Sequence, residues 1–430
     1  MKIIVIFIIF FSLTKSISAL EYKELKTEDG IKIWWVKDES LPIISISFSF
    51  NGGSYLDVKG KEGTAYLMTA LLDEGTKNFS SSEYKIAMKS NGMNLSFSTA
   101  RDRIGGNFQI ISTQKSKGFE LFYEAVNFPA FNYEEIEKVK KQIVSSIKID
   151  NSDVSSVADR KFDEFFFGSH NFSRTIKGSQ ESIERISRKD LVAYHKNVFA
   201  KENIVIGVSG NIGEKEVKRY ISMVFGNLPS VGNQIKISTF NSLKVGEEVF
   251  KMDTPQTTVM FGQPGISRTE KNYFVARIAN YILGGGGFQS RLYKEIREKR
   301  GLVYSIYSYL DSYTVDGVIV GGFQTRNHSV MDTIEMVKEE WSKINSLGVT
   351  ARELEDAKTY YKGSFARNLT SSLSIANLLK IVQYYNLGND YFAMRDKIID
   401  DITLEQINNL ISNLVDSDKL FFMIVGKPEL

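Results

Sequence analysis

Side chains that commonly carry out chemistry are thinly spread in this chain. It has three histidines, His170, His195 and His328, and no cysteine. The histidines lie far apart in sequence, and none falls in a metal-ligand spacing. Serines are common, but no G-x-S-x-G elbow presents one as a nucleophile. Four consecutive glycines, Gly284–Gly287, by themselves indicate only a turn or a helix break. The "KEIREKR" run that follows contains Arg297, and its charge pattern reads as a solvated face. Taken alone, these residues point away from thiol, nucleophilic-serine or self-sufficient metal chemistry.

The elements that would position any site repeat once. The first half opens with an alternating strand, "IISISFSF" (Ile43–Phe50), a glycine turn and a helix from about Gly63. The second opens with "QTTVMFG" (Gln256–Gly262), a turn and a helix through "KNYFVARIANYILGG". The strands alternate with period 2 and the helices carry a 3.6-period apolar face. Residues 133–168 and 350–388 each spell a pair of long helices. A short amphipathic helix and a closing strand follow each pair. Thr350 and Thr403 stand three residues before Glu353 and Gln406, the capping-box pattern of helix starts. A repeat of roughly 200 residues is a duplicated domain, since solenoid units run about 20–50. The fold class expected is α+β: two tandem homologous α/β-sandwich domains, each a mixed sheet with helices packed on one side. The expected boundaries are 20–226 and 249–430, joined by a polar linker over 227–248.

The chain opens "MKIIVIFIIFFSLTKSISA". Lys2 supplies a short positive start, Ile3–Phe11 is apolar, and Ser16, Ser18 and Ala19 suit a signal-peptidase cut. Residues 1–19 therefore read as a secretory signal, with an uncleaved anchor as the other reading. The apolar run is short for a membrane span. Lys2 and Lys15 are the charges of that segment, so its removal leaves 52 Lys and Arg against 51 Asp and Glu. Such a balance argues against a nucleic-acid footprint. An exported chain without cysteine folds on core burial alone.

The helix "GTAYLMTALLDEGT" (Gly63–Thr76) and the segment "LGGGGFQSRLYKEIREKRGLVYSIYSYL" (Leu283–Leu310) resemble the insulinase/pitrilysin-type peptidases, in particular their mitochondrial-processing-peptidase-like branch. The likeness runs over about residues 22–428. In that family the first helix carries H-x-x-E-H. Two histidines one turn apart bind one zinc, the Glu between them polarises a bound water, and a distant Glu completes the coordination. Here Tyr66 and Ala70 stand at the histidine positions, Thr69 at the catalytic Glu and Ser146 at the distant Glu. None of the four is a serviceable zinc ligand, so no metal is expected in this chain.

The resemblance also implies what is kept. Gly284, Gly285, Gly286 and Gly287 would form a flexible loop that admits or recognises substrate. Arg297 and Tyr304, seven residues apart, match a pair that hydrogen-bonds the substrate backbone beside the scissile bond. A fixed guanidinium and a phenol suit a carbonyl oxygen that gains negative charge. The stretch Asn91–Arg103, with Asn94, resembles an edge strand that pairs with an extended peptide. Plainer readings stand beside these: Arg297 as one charge on a solvated face, and Asn94 in an ordinary strand.

Metal positions lost and an Arg–Tyr pair kept is what the family implies for the non-catalytic subunit of a two-chain peptidase, two such chains closing like a clam shell. The expectation is an exported, periplasmic subunit that pairs with a homologous zinc-bearing chain and contacts extended peptides. It would hold no cofactor itself, the zinc residing in the partner. The alternative is an inactive peptide-binding or scaffold protein, like the family's respiratory-complex core subunits.

Overall fold

Alternating large apolar and small residues set the strands from which both halves are built. The structure is a computed structural model that describes residues 20–232 and 236–429. The expected signal segment, 1–19, lies outside the described residues, as do three residues of the expected linker. In the first half, β1 (Lys23–Lys26), β2 (Lys32–Lys37), β3 (Ile43–Asn51), β4 (Asn94–Thr99), β5 (Arg103–Ile111) and β6 (Ile204–Gly210) form one sheet. Its order is β1-β2-β6-β3-β5-β4. In the second half, β7 (Gly246–Lys251), β8 (Gln256–Pro264), β9 (Val303–Ser312), β10 (Gly317–Arg326) and β11 (Phe421–Gly426) run in the order β7-β11-β8-β10-β9. The duplication is visible in the pairing. β2 lies parallel to β6 as β7 lies parallel to β11, and the remaining neighbours are antiparallel. β4 and β9 therefore occupy the same outer edge of their sheets.

The expected helix pairs appear as Tyr133–Asp150 with Val154–Phe166, and Ala351–Phe365 with Ser372–Tyr384. The capping boxes at Thr350 and Thr403 are both closed, with Glu353 and Gln406 returning a bond to the cap. On β3, Ile44, Ile46, Phe48 and Phe50 point into the first-half core, where Phe48 meets Phe122 and Phe225.

Each sheet's second face is covered by a helix from the other half. Ser45, Ser47 and Ser49 of β3 are fully buried, because the second-half helix Ser372–Tyr384 lies across β2, β3 and β6. Ser45 and Ser372 share a 2.8 Å hydroxyl bond, and Gln383 donates to the Ile206 carbonyl at 2.8 Å. Gly207 of β6 makes the approach possible: a Cβ there would lie 2.0 Å from the Ala376 carbonyl oxygen. Reciprocally, the first-half helix Val154–Phe166 lies on β8 and β11. Its Phe162 and Phe166 pack on Phe421, and Phe162 reaches over Gly262. Buried Ile375, Leu379, Phe162 and Phe166 each bring about 1.5–3 kcal/mol of apolar burial to this exchange. The two halves thus complete each other's sandwiches.

The linker differs from expectation. Gly246, Glu247 and Glu248 begin β7 rather than end a linker, because β11 offers them a parallel ladder. Phe240 is packed among Phe167, His170 and Phe172, just beyond the exchanged helix, and so is anchored there despite the polar composition around it.

His195, on the helix Arg188–Val198, stacks on Phe199, and its Nε2–H donates to the Val126 carbonyl at 3.0 Å. Burial pulls this imidazole down to about 4. A group whose folded pKa is depressed takes up protons more readily when unfolded. Its contribution is present above about 6.5 and is lost as pH falls towards 4. Wild type is expected to lose about 2 kcal/mol between pH 7 and pH 5 through this group. His195→Gln should remove that part of the slope, read by urea denaturation at both pH values.

Candidate functional site

The helix Thr64–Leu71 is anchored at its start by Asp57, whose carboxylate accepts the Gly63 and Ala65 amides at 2.7 and 2.9 Å. These bonds satisfy amide groups that a helix start leaves free. The helix packs against β4 and against Tyr133–Asp150, so the degenerate positions do share one neighbourhood. Their chemistry is closed. Thr69 is 5% exposed. Its hydroxyl donates to the Tyr66 carbonyl at 2.9 Å and shares a 2.8 Å bond with Thr99 of β4. Tyr66 and Ala70 are half-buried against the first-half core. Ser146 accepts from the Lys177 ammonium at 3.0 Å, and Lys177 also pairs with Asp150 at 2.6 Å.

A zinc ion does not fit these residues. A lysine ammonium occupies the hydrogen-bonding side of Ser146, where it would repel a dication. Alanine offers no lone pair, and a threonine hydroxyl already spent on neighbours is a poor ligand. Among the described residues no group of three or more His, Cys, Asp or Glu is gathered to hold a metal. Zinc in excess is expected to leave the melting temperature of the isolated chain unchanged. A site saturated at 1,000 times its Kd would instead add about 4 kcal/mol. Lys177 escaped the sequence reading, because nothing in "TIKGSQ" marks it as the neighbour of a serine 31 residues earlier.

Asn94 is the exposed first residue of β4, opposite Gln109 of β5. β4 is an edge, with its outer side free of strand partners among the described residues. The edge expected from the sequence is present.

In the second half, the helix Tyr273–Asn280 continues as a wider turn over Tyr281–Gly285. Gly284 and Gly285 are thus not a flexible loop. Gly284 is buried, and a Cβ there would meet the Ser308 hydroxyl of β9 at 2.3 Å. Asn280 fixes the same strand, donating to the Ser308 carbonyl at 3.1 Å and accepting from its hydroxyl at 2.8 Å. Gly286 caps this turn and only Gly287, with φ of 55°, takes a left-handed conformation. The glycines act here by close packing: they seat the turn on β9. Asn280 and Ser308 were not marked by the sequence pattern.

β9 is the other sheet edge. Tyr304, its second residue, is 88% exposed, and Tyr307 and Tyr309 stack along the same strand. Arg297 lies in the turn Tyr293–Glu298, which packs on β9. Its guanidinium sits 5.2 Å from the Tyr293 ring centroid and, among the described residues, enters no ion pair. The structure therefore packs the glycine turn and the turn that carries Arg297 against β9, the edge strand that carries Tyr304. Asn94 and the four degenerate positions belong to the equivalent edge region of the first half.

Comparison with known proteins agrees with this layout. The family described as "Insulinase (Peptidase family M16)" matches residues 32–180, and "Peptidase M16 inactive domain" matches residues 185–361. The chain is 26% identical over 417 residues to the "Non-peptidase homolog YmxG" of Helicobacter pylori, spanning 96% of this chain and 95% of that protein. It is 22% identical over 411 residues to the "Uncharacterized zinc protease YmxG" of Bacillus subtilis, spanning 94% and 98%. The crystal structure of a peptidase M16 inactive domain from Pseudomonas fluorescens superposes with a TM-score of 0.90 at 26% identity, over 96% of this chain and 98% of that one. Relatives described in opposite terms are nearly equally similar. Overall likeness does not separate the two descriptions.

Proposed function

Because this chain belongs to the M16 family of insulinase-type peptidases and has neither imidazole nor carboxylate at the four metal-site positions, we propose that it is the non-catalytic subunit of a two-chain metallopeptidase. It supplies the substrate-recognising half of a composite site. One observation carries the reading: the chain is asymmetric. Its metal positions are closed by the Thr69–Thr99 and Lys177–Ser146 bonds. The side chains of Arg297 and Tyr304, by contrast, have no hydrogen-bond or ion-pair partner among the described residues, and they belong to β9, an edge strand, and the turn packed on it.

An extended peptide can add to a strand edge through its backbone, without demanding particular side chains. The guanidinium and phenol then reach a substrate carbonyl oxygen and stabilise the charge it gains on attack. The zinc that activates water for that attack belongs to a homologous partner bearing H-x-x-E-H. The signal-like composition of residues 1–19 supports export, and a periplasmic place of work, on short or unfolded peptides.

The test is reconstitution. The purified chain is mixed with its zinc-bearing relative from the same cells, and cleavage of an extended fluorogenic peptide is followed. The reading expects no activity from this chain alone, and activity of the mixture well above that of the relative alone. A mixture that neither associates nor gains activity would sink it and leave an inactive peptide-binding or scaffold role as the better account.

A further inference from the structure

A cavity of about 610 Å³ lies where the two halves meet, walled by Ser49 and Arg103 of the first half and by second-half residues. That volume is in the range of small-molecule sites. Its charge is unusual. Arg103 and Arg395 in the wall are paired with Asp102 and Asp396. Arg268, Arg277 and Lys380 also face the space, and none has an ion-pair partner among the described residues. Asp311 is the one acidic wall residue, and it accepts a 2.6 Å hydrogen bond from Tyr313. Two positive charges are left unbalanced.

These cations are held in place. Arg268 is 8% exposed, with its guanidinium 3.8 Å from the Tyr273 ring centroid and 3.4 Å from the Tyr391 hydroxyl. Its planar fork is therefore fixed before any ligand arrives. Lys380 is carried in by the exchanged helix Ser372–Tyr384. Burial, with Arg103 nearby, pulls its ammonium down to about 8, as expected of a cation that lacks a counter-ion. Keeping uncompensated cations out of water is costly unless something of opposite charge meets them.

We propose that this cavity binds a small phosphate-bearing ligand, a phosphate monoester or a diphosphate. A phosphate-bearing ligand carries at least the two negative charges needed to meet the unbalanced cations, where a peptide's C-terminal carboxylate would supply only one. Arginine forks suit the tetrahedral oxygens of phosphate. Ser374 and Asn377 add neutral hydrogen-bonding groups to the wall, and Tyr361, Tyr384 and Tyr385 add ring faces.

Isothermal titration of the full chain with inorganic pyrophosphate, at ionic strength held constant with sodium chloride, tests this. One site per chain is expected. Lys380→Gln and Arg277→Gln, each removing a cation that is in no ion pair, should weaken binding by about tenfold or more. Their melting temperatures without ligand should match wild type, which separates lost binding from lost folding. A melting temperature that falls in one variant leaves the other to decide. Three results would overturn the proposal: no heat of binding at fixed ionic strength, equal affinity in wild type and both variants, or acetate binding as tightly as pyrophosphate.

Discussion

In a complex with a zinc-bearing relative, Arg297→Ala is expected to lower kcat/KM on an extended peptide by on the order of 100-fold. Among the described residues the guanidinium enters no ion pair, and its turn packs on the edge strand β9, so its donors are available to a substrate oxygen. If it acts on the charge that develops during attack, kcat falls and KM stays nearly unchanged. If it only binds the ground state, KM rises instead. Tyr304→Phe removes one neutral donor and should cost less, about tenfold. Arg300, exposed on the same charged run, is the control. Arg300→Ala should leave the rate within about twofold, because a surface charge without a positioned partner contributes little. Equal losses at Arg297 and Arg300 would assign the effect to the general charge of "KEIREKR".

The second large effect is on stability. Gly207→Ala is expected to destabilise the chain by about 3 kcal/mol or more. The new Cβ would fall 2.0 Å from the Ala376 carbonyl oxygen and 2.9 Å from the Lys380 amide. Both are backbone atoms of the exchanged helix, so no side-chain rotation relieves the contact. The helix must move away from β6 and loosen the burial of Ile375, Leu379 and Val382. Gly363 supplies the contrast. It is exposed in the helix Ala351–Phe365, and a Cβ there meets nothing within 4 Å. Gly363→Ala should raise stability by about 0.5–1 kcal/mol through helix propensity. Urea denaturation of the two variants beside wild type reads both signs in one series.

The exchanged helices also explain where reading the sequence stopped. The strands, helix pairs and capping boxes were legible because each has a local signal: period-2 alternation in β3, or Thr350 three residues before Glu353. The serines of "IISISFSF" carry no such signal. Their alternation shows only that one face of the strand is small and polar. Ser45, Ser47 and Ser49 are the small residues that let a helix from 327 residues later lie on the sheet. Nothing within the strand shows what covers that face. Phe240 is similar: one aromatic in a polar stretch has no period, and only the cluster around Phe172 reveals its place. At the site, the residue types replacing the metal ligands were readable from position. What now occupies that space, Lys177 on Ser146 and Thr99 on Thr69, depends on contacts between segments. The four glycines were expected as a flexible loop; that Gly284 packs on Ser308 is visible only once the strand edge is known.

The central claim is that this chain is half of a composite enzyme. The most direct measurement is a pull-down of the tagged protein from its native cells, with the eluate identified and quantified by mass spectrometry. The account predicts a homologous chain bearing H-x-x-E-H in a near one-to-one ratio. Elution alone, or with unrelated proteins only, would contradict it.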